Sequence, residues 1–330
     1  MNLFIIGGTR FIGRHVVREL LLSGHKITLF HRGNNPQNIE DLPVESLYGD
    51  RMAPGSIASV ISHRHFDAAI DMVAYDAPET LLAMEQLKSH VDRYLMISTA
   101  SVYAQPHHSP MHETDALIYD EDPRLAYGRK KVAAEEAAFR FSEEAELPVT
   151  VLRLPAVYGE YDHQAREWYF IKRLFDQRKS MVLPEGGSGV YHREYAGNVG
   201  VQLDLLLKTN KCFQQVYNSG HRHTPTYREL VETGAKLCQQ SLKLYSLPQP
   251  LFPNIPNCAN PGIFTQSVAK LESLGYQEKY DIAHGLKRTM DWFALNPITE
   301  YSPVQRNQAR HFDYDWEDRM IATGLAQPLN

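Results

Sequence analysis

The sequence predicts an α/β fold with a doubly wound parallel sheet and a smaller, mixed C-terminal lobe. Three observations lead to this prediction. A short apolar strand runs into a glycine turn and an amphipathic helix at the start of the chain. Apolar strands and helices then alternate up to residue 154, which is typical of a parallel sheet with right-handed crossovers. After residue 159 the regular alternation stops.

The composition fits a water-soluble protein of one large or two modest domains. The 330 residues are 43% hydrophobic and carry a formal net charge of -5 without a block of like charge, so neither nucleic acid nor a membrane surface is an expected partner. No apolar run reaches the roughly eighteen residues of a membrane span, and the N-terminus lacks the features of a signal peptide. Three cysteines without a CxxC pair favour a reducing cytoplasm.

A βαβ unit opens the chain. An apolar run at residues 3–6 leads through a glycine turn into a helix, and a second strand follows at residues 26–30. This order is typical of dinucleotide-binding units, in which the pyrophosphate lies at the helix N-terminus. An ordinary glycine turn is the alternative. The predicted cofactor contacts of the turn are Gly7, Thr9, Arg10, Phe11, Ile12 and Gly13.

Gly7 permits the tight turn, and Gly13 allows the helix to pack close to the strand. Arg10 stands where a middle glycine is common. Its side chain could lie over the pyrophosphate, contact a 2′-phosphate, or remain solvated.

The end of the second strand bears on cofactor choice. NAD-selective sites usually place an acidic residue there, whereas this chain has His31 and Arg32. Two potentially cationic side chains suit a 2′-phosphate, which predicts NADP(H), with NAD as the alternative. Arg32 could instead stack on adenine without selecting the phosphate. Further candidate cofactor contacts follow later strands: Asp50, Arg51, Met72, Val73, Ala74, Ser98, Leu154 and Val157.

A Y-x-x-x-K pattern, Tyr127 with Lys131, opens a helix predicted over residues 127–144. Positions i and i+4 share one face of a helix, so both side chains can point into one cleft. A nearby ammonium favours the phenolate, so the pKa of Tyr127 is expected to fall below its ordinary value of roughly 10. Such a tyrosine can act as a general acid or base near neutral pH. Taken alone, the pattern also occurs on solvated helix faces.

Together these segments resemble the extended short-chain dehydrogenase/reductase family, the NAD(P)-dependent epimerase/dehydratase group with a Rossmann-type sheet. The resemblance covers residues 1–294. It rests on the turn Gly-Gly-Thr-Arg-Phe-Ile-Gly, on Ser-Thr-Ala-Ser-Val-Tyr at residues 98–103, and on Tyr127 with Lys131. The resemblance also implies a homodimer built on a four-helix bundle that includes the 127–144 helix.

The resemblance implies a role for each matching residue. Tyr127 would be the catalytic acid/base, Lys131 would bind the nicotinamide ribose and lower the pKa of Tyr127, and Thr99 would hydrogen-bond the reacting oxygen. The implied substrate contacts are Ser101, Tyr103 and Arg193. The implied activity is hydride transfer between a nicotinamide and a carbon that bears a hydroxyl or carbonyl group.

Two departures from the family's pattern narrow this activity. Dehydratases of the family carry an Asp-Glu pair directly after the Ser/Thr, where this chain has Ala100 and Ser101. This difference disfavours dehydration and leaves reduction or epimerisation. Sugar-nucleotide enzymes tend to have Asn where this chain has Ala156, which argues against a nucleotide sugar. A sugar or sugar nucleotide is nevertheless kept as the candidate substrate.

Two other functions are compatible with the same fold. The glycine turn also resembles chloroplast stem-loop RNA-binding relatives, and a third possibility is an NADP(H) sensor without turnover. The complete set of Thr99, Tyr127 and Lys131 favours an enzyme over both. The acidic net charge also disfavours RNA binding.

The predicted domains are a dinucleotide-binding domain over residues 1–159 and a smaller substrate-binding lobe over residues 160–330, interleaved with late sheet elements. The aromatic residues 168–170 are expected to pack this lobe, and the last thirty residues have no predicted place. Two histidine clusters lack the helical spacing of zinc sites, so solvated histidines and no metal are predicted. They are His107, His108 and His112 with Glu113, and His221 with His223. Cys258 has no catalytic partner nearby in the sequence.

Overall fold

The computed structural model describes residues 1–34, 39–105, 108–255, 259–302, residue 305 and residues 311–329. His107 and Cys258 lie outside the described residues. The chain forms two compact units. The first comprises residues 1–157, 196–220 and 266–279, and the second comprises residues 158–195, 221–265 and 280–330.

Both units contain strands and α-helices. In chain order the strands are β1 (Asn2–Ile6), β2 (Lys26–His31), β3 (Glu45–Tyr48), β4 (Ala68–Asp71), β5 (Tyr94–Thr99), β6 (Val149–Leu154), β7 (Ala156–Tyr158), β8 (Ser180–Pro184), β9 (Val190–Tyr191), β10 (Arg193–Tyr195), β11 (Gln215–Asn218), β12 (Lys243–Leu247), β13 (Ile263–Phe264) and β14 (Gln327–Pro328). The α-helices are α1 (Phe11–Leu22), α2 (Ser56–Ile61), α3 (Ala77–Leu87), α4 (Ala126–Ala145), α5 (Trp168–Phe175), α6 (Ala196–Leu207), α7 (Tyr227–Leu237), α8 (Ala269–Glu272), α9 (Ile282–Leu295) and α10 (Tyr314–Ala322). Among the described residues, no helix combines the length and apolar character needed to cross a membrane.

The first unit is built on a seven-stranded sheet in the order β3-β2-β1-β4-β5-β6-β11. Each pair of neighbouring strands in this sheet is parallel. The strand order reverses between β1 and β4, as in doubly wound sheets, which confirms the predicted fold class. In such sheets the ligand crevice lies beyond the carboxyl ends of the strands at this reversal point.

Apolar layers cover both faces of the sheet because successive strand residues point to opposite faces. Leu3 and Ile5 of β1 belong to a core shared with α1 and α6. Phe4 and Ile6 belong to a second core, shared with α2, α3 and α4. All four side chains are at most 1% exposed. Burial on both faces explains why β1 is a continuous apolar run rather than an alternating one.

The second unit has its own apolar core, to which α5, α7 and α9 contribute. The aromatic residues 168–170 of α5 are buried in this core, as predicted. Strands β14, β12 and β8 form a small sheet. The fully buried Arg173 pairs with Glu317 of α10, which anchors the C-terminal segment to the same unit.

The sequence predictions agree best with the structure where the apolar pattern is clear. Strands β1 and β2 and helix α4 agree with the predicted ranges 3–6, 26–30 and 127–144 to within one residue at each end. No range was predicted for β12, β13 or β14. The single predicted boundary near residue 159 lies beside the division at residue 157, but two later segments return to the first unit.

Candidate active site

The turn between β1 and α1 lies at the reversal point of the sheet. Gly7 and Gly8 have φ angles of +89° and +86°, in the left-handed region that favours glycine. A Cβ on Gly13 would lie 2.5 Å from the Cα of Gly8, so only glycine permits this approach of α1 to the turn. A Cβ on Gly7 would lie 3.2 Å from a methyl carbon of Val73, which follows β4. The turn and the end of β4 are therefore neighbours.

The N-terminus of α1 is suited to an anion. Arg10 precedes the helix, and its side chain makes no capping hydrogen bond. The first turn of α1 contains no acidic residue. The positive end of the helix dipole thus faces the glycine turn without a neutralising carboxylate at its cap or in its first turn.

The side chains after β2 and β3 differ in exposure. His31 is buried, its Nε2 lies 3.1 Å from the hydroxyl of Ser46, and its Nδ1 accepts the backbone N–H of Gly33. Burial lowers the pKa of His31, so the ring is neutral at neutral pH and lacks the positive charge that would favour a 2′-phosphate. Arg32 and Asp50 are exposed at neighbouring strand ends. Arg32 therefore provides the positive charge at the end of β2.

Arg51 was predicted to contact the cofactor, but its guanidinium is held inside the first unit. It is 9% exposed and donates to the two carboxylate oxygens of Asp71 at 2.7 and 2.8 Å. Asp71 is the last residue of β4 and is fully buried. Because this carboxylate engages both terminal nitrogens, Arg51 stabilises the end of β4 instead of projecting towards a ligand.

The ammonium of Lys131 lies between two strand ends. Its Nζ donates to the carbonyl oxygen of Ala74 at 2.7 Å and to that of Ile97 at 2.9 Å. The residue is 3% exposed, and burial lowers the pKa of Lys131 to about 8. Nζ also lies 5.3 Å from the ring centroid of Tyr75. Lys131 thus reaches the carboxyl ends of β4 and β5, beside the reversal point.

The start of α4 packs against the segment after β5. Thr99 ends β5, and its Oγ1 accepts the N–H of Ser101 at 3.2 Å. A Cβ on Gly128 would lie 2.0 Å from the carbonyl oxygen of Ser101, so glycine is needed for this contact. Tyr127, the neighbour of Gly128, is 51% exposed. The contact brings the backbone that carries Tyr127 next to the segment that carries Thr99.

Ser98 and Tyr103 belong to a buried polar network. The Ser98 hydroxyl donates to the carboxylate of Glu135, which also accepts from Nη2 of Arg153 at 2.6 Å. The Tyr103 hydroxyl accepts from Nη1 of Arg153 at 3.1 Å and donates to Asn218 at 2.6 Å. Burial raises the pKa of Tyr103, so the phenol keeps its proton at neutral pH. Both side chains brace the strand ends, and their predicted ligand contacts stay predictions.

The other predicted cofactor residues follow the carboxyl ends of β1, β4 and β6. Their exposure differs even among residues that follow the same strand. Thr9, Ile12, Met72 and Val73 are partly exposed, and Phe11, Ala74, Leu154 and Val157 are buried.

Arg193 and His221 lie in the second unit. Arg193, predicted as a substrate contact, is 1% exposed and donates to Glu167 at 3.0 Å and to the Tyr191 carbonyl at 2.7 Å. The prediction of solvated histidines was wrong for His221, which is buried with its Nε2 3.0 Å from the Tyr158 hydroxyl. It is confirmed for the exposed residues His108, His112 and His223.

Three residues that shape this region were missed in the sequence. Gly128 lies in the first turn of a predicted helix, where glycine is about 1 kcal/mol less stable than alanine. A glycine at such a position indicates that the helix packs closely against another segment. Asp71 ends an apolar strand, and Glu135 lies one turn after Lys131. A charge at a buried position requires a partner, which the sequence does not identify.

The sequence profile of the NAD dependent epimerase/dehydratase family matches residues 3–199, more than half of the chain. The chain belongs to this family. The family predicted from the glycine turn and from Tyr127 with Lys131 is therefore confirmed.

Several members and solved structures resemble the chain. A trifunctional UDP-glucose 4,6-dehydratase/UDP-4-keto-6-deoxy-D-glucose 3,5-epimerase/UDP-4-keto-L-rhamnose-reductase of Arabidopsis thaliana is 24% identical over 99% of this chain and 53% of its own length. The chloroplast stem-loop binding protein of 41 kDa b, also of Arabidopsis thaliana, is 28% identical over 71% of this chain and 62% of its own length. The chain thus spans only part of these two relatives.

The structure of a UDP-glucose 4-epimerase from Thermotoga maritima, solved with UDP-glucose, superposes with a TM-score of 0.73. It is 19% identical, and the match covers 90% of this chain and 99% of that one. This likeness confirms the Rossmann-like fold.

The buried ion pair of Arg153 and Glu135 should be essential for the stability of the first unit. Arg153→Met leaves the Glu135 carboxylate without its counter-charge and should cost about 3–5 kcal/mol in the free energy of unfolding. Urea denaturation of the full chain, followed by circular dichroism, measures this change. Arg124→Met is the matched control, because Arg124 pairs with Asp122 but its side chain is 88% exposed. Similar midpoints for the two variants would contradict the structural role of the buried pair.

Proposed function

We propose that the protein is an NAD(P)-dependent oxidoreductase or epimerase that acts on a carbon bearing a hydroxyl or carbonyl group. The observation that carries this proposal is the position of Lys131. Its ammonium lies at the carboxyl ends of β4 and β5, and the start of α4, with Tyr127, packs on the segment after Thr99. This arrangement supports a proton-transfer site at the reversal point of the sheet.

The turn after β1 fits the pyrophosphate of a dinucleotide. The left-handed glycines and the contact of Gly13 with Gly8 allow a close backbone approach, and the N-terminus of α1 favours an anion. The residues proposed to hold the cofactor are Gly7, Thr9, Arg10, Phe11, Ile12 and Gly13, with Arg32 and Asp50 towards the adenosine and Met72, Val73 and Ala74 at the end of β4. A bound nicotinamide supplies the hydride chemistry.

The chain's own residues supply positioning and a proton. Tyr127 is proposed as the general acid/base at its phenolic oxygen. The ammonium of Lys131 favours the phenolate of Tyr127 and offers a hydrogen-bond donor to a ribose hydroxyl. Thr99 is proposed to orient the reacting oxygen through its hydroxyl. Since the role of Lys131 requires its charged form, activity should decline as the pH rises through the pKa of this ammonium.

Cofactor selection is proposed to depend on Arg32. The neutral, buried His31 adds no charge, so at the end of β2 the proposed preference for NADP(H) rests on Arg32. The neighbouring exposed Asp50 would hydrogen-bond the adenine amino group. NAD remains the alternative cofactor.

The proposed substrate is a sugar or sugar nucleotide. The names of the relatives describe enzymes that act on UDP-linked sugars, which supports this class. Ala100 and Ser101 follow Thr99 and provide no acid/base pair for dehydration, so reduction or epimerisation is proposed. The net charge of -5 and the burial of Lys131 favour this enzyme over an RNA-binding protein. A homodimer stays an expectation from the family resemblance, and a cytoplasmic location stays a prediction from the sequence.

Substitution of Tyr127 by Phe tests the proposed acid/base. Tyr127→Phe removes only the hydroxyl and should lower turnover by about 100-fold or more, with cofactor affinity nearly unchanged. Turnover is measured on a panel of sugars and UDP-sugars, by nicotinamide absorbance for reduction and by chromatography for epimerisation. Tyr119→Phe is the control, because Tyr119 is also exposed but bonds to Glu136. Full activity of Tyr127→Phe would refute the mechanism.

Substitution of Arg32 by Ala tests cofactor selection. Arg32→Ala should weaken NADPH binding by about 10-fold or more, the usual effect of losing a hydrogen bond to a charged group. NADH binding should change little, because NADH lacks the 2′-phosphate. Calorimetric titration gives both affinities, and Arg124→Ala provides an exposed-arginine control. Equal losses for the two nucleotides would remove the basis for NADP(H) preference.

A further inference from the structure

The carboxylate of Asp71 is buried at the end of an otherwise apolar strand. All four residues of β4 are buried, and Asp71 is 0% exposed. An ionised carboxylate in such surroundings is strongly destabilising unless it is paired and hydrogen-bonded. The packing of β4 itself does not require a charge at this position, so the carboxylate calls for another explanation.

Four donors satisfy this carboxylate. Arg51 supplies two parallel bonds, the Tyr94 hydroxyl donates at 2.5 Å, and the backbone N–H of Val73 donates at 2.9 Å. Arg51 also donates to the carbonyl oxygen of Glu79 in α3 at 2.9 Å. The cluster therefore fixes the end of β4 to the segment after β3, to β5 and to α3.

The same cluster determines where Lys131 is held. The bond from Val73 to Asp71 closes a tight turn directly after β4. The carbonyl group of Ala74, the residue after Val73, accepts a hydrogen bond from the ammonium of Lys131 at 2.7 Å. The position of the lysine acceptor thus depends on a turn that Asp71 closes and Arg51 anchors.

We propose that Asp71 and Arg51 are positioning residues for Lys131. The pair fixes the turn that presents the Ala74 carbonyl, and the negative charge of Asp71 keeps the buried lysine in its ammonium form. The importance of this pair for turnover rests on the proposed function, in which Lys131 supports Tyr127.

The charges around Lys131 are consistent with this role. Burial lowers the pKa of Lys131 to about 8, and Asp71 is the strongest of the charges that oppose this effect. Glu135 of α4 and Glu79 of α3 also favour the ammonium, whereas Arg51 disfavours it. Glu135 is already paired with Arg153, and the aromatic ring of Tyr75 lies 5.3 Å from Nζ.

The experiment is a pH titration of Lys131 by NMR in the full chain without added cofactor. Lysine is labelled with ¹³C and ¹⁵N, and the Lys131 signal is identified by its absence from Lys131→Arg. Asp71→Asn keeps an oxygen that can accept from Val73 and places an amide NH2 beside the Tyr94 hydroxyl, which can accept from it, but it removes the charge. The pKa of Lys131 should fall by about one unit or more in this variant, because the strongest of the charges that favour the ammonium is lost while Arg51 still disfavours it. The pH at which turnover declines on the alkaline side of the pH profile should fall by a similar amount.

Asp41→Asn is the matched control. Asp41 accepts the same two parallel bonds from Arg14, at 2.8 and 2.7 Å, but its side chain is 65% exposed. This variant should leave the pKa of Lys131 unchanged. An unchanged pKa in folded Asp71→Asn would overturn the proposal.

A double variant, Arg51→Met with Asp71→Asn, removes both buried charges and covers the case in which the single variant does not fold. Its Lys131 pKa should lie below that of the wild type and above that of Asp71→Asn. A wild-type value in the double variant would also overturn the proposal. The NMR measurement does not depend on turnover. Full activity of Tyr127→Phe would refute the proposed function, but the titration would still test the role of Asp71 and Arg51.

Discussion

The burial of the Lys131 ammonium between two backbone carbonyls is the constraint on which the site depends. A lysine that is 3% exposed loses its hydration, and the carbonyl oxygens of Ala74 and Ile97 replace part of it. These acceptors belong to the segment after β4 and to β5, so the lysine can be satisfied only if α4 lies close to both. Gly128 permits that approach, because any larger residue would collide with the Ser101 carbonyl.

Two buried ion pairs hold this arrangement in place. Asp71 with Arg51 fixes the turn after β4, and Glu135 with Arg153 joins α4 to β6. In a low-dielectric interior a charge without a partner is costly, so each pair constrains the elements that carry its members. The sheet supplies the strand ends, and the ion pairs determine how α4 and the turn after β4 meet them.

The sequence predicted the sheet, the glycine turn and the Tyr127–Lys131 helix because each has a local pattern. A continuous apolar run identifies β1, and a glycine at position 13 is required by the contact with Gly8. Partners of buried charges could not be predicted in this way. Arg51 looked like a cofactor contact because the chain order does not show that it faces Asp71, twenty residues later.

The same limit explains other differences. Tyr103 follows Thr99 in a segment that resembles a substrate site, yet its hydroxyl bonds to Arg153 and Asn218, both distant in the sequence. Strands β13 and β14 have only two residues each, too few for a periodic pattern.

Calorimetric titration of the wild type and of Lys131→Met with NADPH and NADH tests the central claim most directly. The account predicts about one bound nucleotide per wild-type chain, because one cofactor site per dinucleotide-binding sheet is expected. It also predicts a marked loss of nucleotide affinity in folded Lys131→Met. Absence of binding to the wild type, or equal binding by both proteins, would contradict it.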